Sequence, residues 1–324
     1  MTPLPLLLLV AVAARPLSAM RARGAEREVS PGYPPTEQQL QRLTPRCREQ
    51  LQGLKDDLVG FCLQQFPQGV ACNLMVGMVF AGESNTFAVE NLTSSDKDSM
   101  LWAGMWDGGE PGRTSKKALL HFANLVDAST VHPSTKLGEM VEKHGDLQAC
   151  NNDLAAQVSF TGERRDEGLV PNFWKMASER FVKDMKGSLQ GSVVVIVNKD
   201  LDPSAERSFY KSVLYNYELP TIATTVNLNS FYASFDPWHV RTFAPGRNHW
   251  LPQMLVVDLR DTCEEMVESI KGKLLMACET TCDVQEWLKK KPLRCLPCAA
   301  GCKLDQSFAK KVKKELNRKW YHIF

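Results

Sequence analysis

Two continuous apolar runs, Val193-Val194-Val195-Ile196-Val197 and Met254-Leu255-Val256-Val257, constrain this chain more than any other feature. A strand with one wet face alternates apolar and polar residues. A strand that is apolar at every position must be covered on both faces, as in a parallel sheet with helices on either side. Asn198 and Asp258-Leu259 close the two runs. Ala223–Leu228 reads as a weaker third strand, and no strong strand precedes residue 193.

The segment before these runs has a different period. Leu54, Leu58 and Cys62 recur every four residues, and Leu119, Phe122, Leu125 and Val126 mark another helical face. Helix returns after residue 263, where Met266, Ile270 and Leu274 share a side. The expected class is therefore α+β or α/β: a mainly helical part over 41–190, then an α/β part with parallel strands over 191–302. Residues 229–252, rich in aromatics, Pro and His, read as a long irregular loop over a site. Residues 303–324 form a basic amphipathic helix with Phe308, Val312, Leu316 and Trp320 four apart. An apolar stripe docked on the body, with the lysines in water, is its simplest reading; an anionic surface is the other.

Residues 3–14 are an apolar run followed by small residues around Ser18-Ala19, which is the pattern of a signal peptide over 1–20. The run is too short to span a bilayer, which takes about 20 residues. Residues 21–40 are polar and poor in apolar anchors, a disordered lead-in. No second long apolar stretch provides a transmembrane anchor. The expected location is secreted or lumenal. Ten cysteines agree with that route, since thiols in an oxidising compartment pair as disulfides. Asn91-Leu92-Thr93 is a glycosylation sequon. A net charge of +2 argues against nucleic acid as a partner.

Common catalytic signatures are missing. There is no Gly-x-Ser-x-Gly elbow, no Gly-x-x-x-x-Gly-Lys and no Gly-x-Gly-x-x-Gly. The six histidines are scattered, and His239 and His249 beside Trp238 and Trp250 read as ordinary loop residues. Cys278-x3-Cys282 with Cys295-x2-Cys298 has the outline of a thiolate zinc site, but the secretory route favours disulfides, so no metal is expected. What remains is a set of aromatics and one acid: Trp102, Trp174 and Glu218, the last between Tyr215-Asn216-Tyr217 and Leu219-Pro220. Each tryptophan is equally at home in a core. Glu218 is either a surface charge at a strand end or a functional carboxylate. Together, an aromatic plate and a fixed carboxylate suit cleavage of a flat cationic leaving group from a sugar.

Ser99-Met100-Leu101-Trp102, Asn172-Phe173-Trp174-Lys175-Met176-Ala177-Ser178 with Phe181, the strand Val193–Asn198, Tyr217-Glu218-Leu219-Pro220, Cys263 with its helix, and the Cys282…Cys295 spacing follow one another in an informative order. In these pieces the chain resembles the ADP-ribosyl cyclase/cyclic ADP-ribose hydrolase family from about residue 45 to 302. The resemblance implies a helical N-terminal part, a small parallel sheet and a cleft. It places Glu218 on the catalytic glutamate, Trp102 and Trp174 on the indoles that hold nicotinamide, and Ser178 on a substrate-contacting serine. It implies NAD or NADP as substrate, no separate cofactor, and leaves a homodimer open. The disulfides it implies are Cys47–Cys62, Cys72–Cys150, Cys263–Cys282 and Cys295–Cys302, with Cys278–Cys298 as an extra bridge.

The chain also departs from the family pattern. Val131-His132-Pro133-Ser134-Thr135-Lys136-Leu137-Gly138 stands where the family often has an acidic pair, with Pro133 and Ser134 in its place. Ala149 replaces a tryptophan ahead of Cys150, one family disulfide has lost both halves, and residues are inserted around Lys186–Gly191 and in 229–252. The expected function is a secreted NAD glycohydrolase or ADP-ribosyl cyclase. Its alternative is a catalytically silent binding or signalling protein on the same scaffold.

Overall fold

A computed structural model describes residues 40–66, 72–80, 92–93, 97–103, 113–132, 134–151, 153–157, 168–183, 185, 192–198, 201–204, 208–224, 253–259, 263–278, 281–290, 293–297, 306–316 and 318. The fold is α/β, with helices around a five-stranded parallel sheet. In chain order the strands are β1 (Asp98–Ala103), β2 (Ala128–Ser129), β3 (Ser192–Val197), β4 (Gln253–Asp258) and β5 (Arg294–Pro297). Their spatial order is β2-β1-β3-β4-β5, and all four pairings are parallel. The helices are α1 (Pro45–Gln65), α2 (Cys72–Phe80), α3 (Arg113–Val126), α4 (Lys136–Lys143), α5 (Gln148–Asn151), α6 (Leu154–Gln157), α7 (Leu169–Lys183), α8 (213–224), α9 (Cys263–Ala277), α10 (Thr281–Lys290) and α11 (Gln306–Leu316).

The two apolar runs are the sheet's centre, and both their faces are buried. Alternation along the strands divides the core in two. Val193, Val195, Val197, Met254 and Val256 join the core built with α1, α2, α7 and α9. Val194, Ile196, Leu255 and Val257 face the other side, against Leu119 and Phe122 of α3 and Phe308, Val312 and Leu316 of α11. The basic C-terminal helix is thus docked by its apolar stripe, with Lys310, Lys311, Lys313 and Lys314 exposed.

The expectation that no strong strand precedes residue 193 is corrected by β1, and with it the two-residue β2 extends the sheet from within the mainly helical part. Both were hidden by their composition: β1 opens on Asp98-Ser99, and β2 is two residues long. Ala223 belongs to helix rather than to a third strand, and 225–228 lie outside the described residues.

Among the described residues the disulfides are Cys47–Cys150, Cys62–Cys72 and Cys263–Cys295. Cys47–Cys62 and Cys72–Cys150 are therefore wrong pairings. Cys47 and Cys62 occupy the same helix, where fifteen residues at 1.5 Å rise separate them by about 22 Å, far beyond the reach of a disulfide. Cys47 instead faces α5, at a Cα–Cα distance of 4.6 Å from Cys150. Cys263–Cys282 and Cys295–Cys302 fail because β5 lies beside β4, bringing Cys295 within 5.6 Å of the Cys263 Cα at the start of α9. Cys278 is buried; its expected partner Cys298, the sequon's Asn91 and the 229–252 loop lie outside the described residues, as do the signal peptide and all of the lead-in except Leu40, which packs against the core. Disulfide bonding of this density fits an oxidising compartment. Among the described residues, no helix is long and apolar enough to cross a membrane.

Candidate functional site

Parallel α/β sheets place their working residues beyond the carboxyl ends of the strands. Trp102 sits one residue from the end of β1, and Thr130 follows β2 directly. Trp102 is half-buried; its Nε1–H donates to Thr130 Oγ1 at 3.3 Å. From the helical side, α7 brings Trp174, also half-buried, against Phe173 and the edge of His132, whose ring centroid is 5.3 Å away. The two tryptophans touch different halves of the core, but the short segment Thr130-Val131-His132 meets both.

Ser178 lies four residues after Trp174, one turn along the same face of α7. It is buried and hydrogen-bonds the Glu218 carboxyl. Glu218 ends a π-helical turn, Leu214–Glu218, that widens α8 just before Pro220. A proline inside a helix has no N–H to donate, and its ring crowds the carbonyl four residues back, here that of Asn216. The wider turn takes up that conflict, with Leu219 N–H bonded to Leu214 C=O. The turn packs on α7 and approaches β1. Lys175 Nζ stands 4.8 Å above the Tyr217 ring, a second tie between α7 and this turn. Glu218 therefore sits on a helix rather than at a strand end.

The electrostatics single out this acid. Burial raises the Glu218 pKa to about 7 against the one lowering contact, from Ser178. Among the described residues, its buried Oε2 has no hydrogen-bond partner. An orphaned carboxylate oxygen inside a protein is costly unless something is meant to meet it. A ligand hydroxyl is chemically suited to do so.

The structure thus connects the four residues named from the sequence in two linked pairs: Trp102 with Trp174 through 130–132, and Ser178 with Glu218, with α7 carrying one member of each. Thr130, His132 and Asp146 escaped sequence reading. His132 Nε2 lies 2.7 Å from Asp146 Oδ1, although fourteen residues and a helix separate them. Threonine, histidine and aspartate at that spacing carry no linear signal. Among the described residues, no group of three His, Cys, Asp or Glu side chains is placed to hold a metal ion. No model of a known protein family matches the chain, and no curated protein matches it.

Proposed function

We propose that the chain is a secreted enzyme that breaks the nicotinamide–ribose bond of NAD, with Glu218 as its catalytic carboxylate and Trp102 and Trp174 as the nicotinamide platform. The observation that carries the reading is the buried, almost donor-free carboxyl of Glu218 on a turn seated against the helix that bears Trp174. The resemblance of the surrounding motifs to the ADP-ribosyl cyclase family gives the same assignment.

The chemistry follows from charge. Nicotinamide leaves with the bonding electron pair and becomes neutral, while the ribose carbon it leaves becomes cationic. Ionised Glu218, accepting hydrogen bonds from the ribose hydroxyls at Oε2, stabilises that cation most where it is fullest, in the transition state. Ser178 holds the carboxylate in place and favours its ionised form. The cationic pyridinium lowers the carboxyl pKa further on arrival, while indole faces orient the ring and exclude water. Water then adds to the ribosyl carbon and loses a proton, giving ADP-ribose; closure by an adenine nitrogen gives the cyclic product. The test is turnover of a fluorescent NAD analogue by purified protein and by Glu218→Gln. Turnover in the parent with loss in the variant supports the assignment. Silence of a folded parent points to a binding protein on this scaffold, and equal rates remove Glu218 from the mechanism.

A further inference from the structure

We propose that Thr130, Val131 and His132 form a positioning clip that sets the two indole plates relative to each other, with Asp146 as the strut that fixes its imidazole. The proposal rests on the reading of Trp102 and Trp174 as the leaving-group platform.

The Thr130 hydroxyl has one proton to donate and two lone pairs. It donates to the His132 carbonyl at 3.0 Å and accepts from the His132 N–H at 3.3 Å and from Trp102 Nε1–H at 3.3 Å. All three capacities are used, and the side chain is buried. One oxygen therefore folds the backbone back at His132 and anchors the Trp102 ring. The next carbonyl, of Val131, accepts from Thr135 Oγ1 at 2.7 Å, and Thr135 also caps α4 by accepting from Gly138 N–H. The segment is pinned at every residue.

Its far end is the imidazole. His132 is 6 % exposed, and its ring meets Trp174 edge-on at an interplanar angle of 67°. Asp146 holds Nε2 from a turn in which Gly145, Asp146 and Leu147 have φ of 66°, 57° and 55°. Left-handed backbone costs about 1–2 kcal/mol at a non-glycine residue. Such strain persists where the surroundings over-determine it, and it is found at working sites. Burial of Leu147 offsets part of the cost here. A histidine–carboxylate pair serving only the core would be replaced cheaply by apolar side chains. This one instead braces a half-exposed indole. His132 and Thr130 act through the indoles, so they are positioning residues.

The test combines two readouts on the full secreted chain. Indole N–H resonances of Trp102 and Trp174, assigned with Trp102→Phe and Trp174→Phe, are followed in ¹⁵N spectra. KM and kcat for NAD are measured on the same samples. Thr130→Val is expected to shift both indole resonances, with restoration in Thr130→Ser. His132→Ala is expected to shift the Trp174 resonance and to raise KM about tenfold with a much smaller change in kcat. Asp146→Ala on top of His132→Ala should add nothing, because the strut has no load left. Unmoved indole resonances and unchanged KM in folded Thr130→Val and His132→Ala overturn the clip, as does additivity of the Asp146 and His132 losses. If Thr130→Val fails to fold, the His132→Ala and Asp146→Asn spectra decide the matter. If the parent leaves NAD intact, the functional reading fails while the indole spectra still judge the clip.

Discussion

Two acids in this protein have nearly the same solvent exposure and opposite pKa shifts. Asp153, between α5 and α6, is 4 % exposed; Glu218, at the end of the π-turn, is 5 % exposed. Burial pushes both pKa values up. At Asp153 that push is outweighed by Thr44 N–H at 2.6 Å and by Ala156 and Ala155 N–H at 3.3 and 2.9 Å, so the carboxyl stays below its ordinary range. At Glu218 only Ser178 lowers it, and the pKa rises to about 7. Asp153 caps α6 and ties the residue before α1 to it, so its donors come from the fold. Glu218 has an oxygen that the fold leaves unmet. Glu218 lies deeper and has fewer donors, and the two differences together separate a structural carboxylate from one kept for a ligand.

The largest effect should be on rate. Glu218→Gln is expected to lower kcat for NAD about a thousandfold, while Asp153→Asn leaves it near the parent value; a similar loss in both would erase the distinction. Stability should move the other way. Because the folded pKa of Glu218 lies above its unfolded value of 4.5, the unfolded chain binds fewer protons between pH 4.5 and 7, and stability falls as pH rises through that window. Removing the ionisable group restores about 3 kcal/mol at pH 8 and little at pH 4.5. Urea melts of Glu218→Gln and parent across that range measure it. Asp153→Ala should lose about 2 kcal/mol at neutral pH, since several backbone N–H groups lose their acceptor. Its folded pKa is lowered, so the parent's advantage is present above pH 3.8 and disappears as pH falls through the folded value. Acid titration of the two melts checks the sign. The smallest effect is on the shape of the pH profile. Ser178→Ala removes the contact that lowers the Glu218 pKa, so its midpoint should move alkaline, and an acid shift would mean that Ser178 acts otherwise.

How far the sequence could be read follows the same division. Val193–Val197 and Met254–Val257 announced the sheet because every residue in them is apolar, and the structure buries each one. β1 was lost in the helical half because two polar residues open it, and β2 because two residues make no pattern. Disulfide pairing was beyond reach because it depends on which helix faces which. Once Cys47 and Cys62 share α1, they cannot meet. Trp102, Trp174 and Glu218 stand out by residue type, and family resemblance gives them and Ser178 their roles; their alignment depends on strand ends and a helix turn far apart in the chain. Pro220 stands two residues after Glu218, yet the π-turn ahead of it is not legible in the linear sequence. The contacts of Thr130, His132 and Asp146 exist only in three dimensions.

The pH dependence of kcat/KM for NAD cleavage by the parent protein tests the central claim most directly, because it reports the free enzyme's essential acid. If Glu218 is that acid, the value rises through a midpoint near 7 and levels above it. A profile flat from about pH 5 to 9, in a protein that does turn over NAD, would mean that some other group carries the reaction.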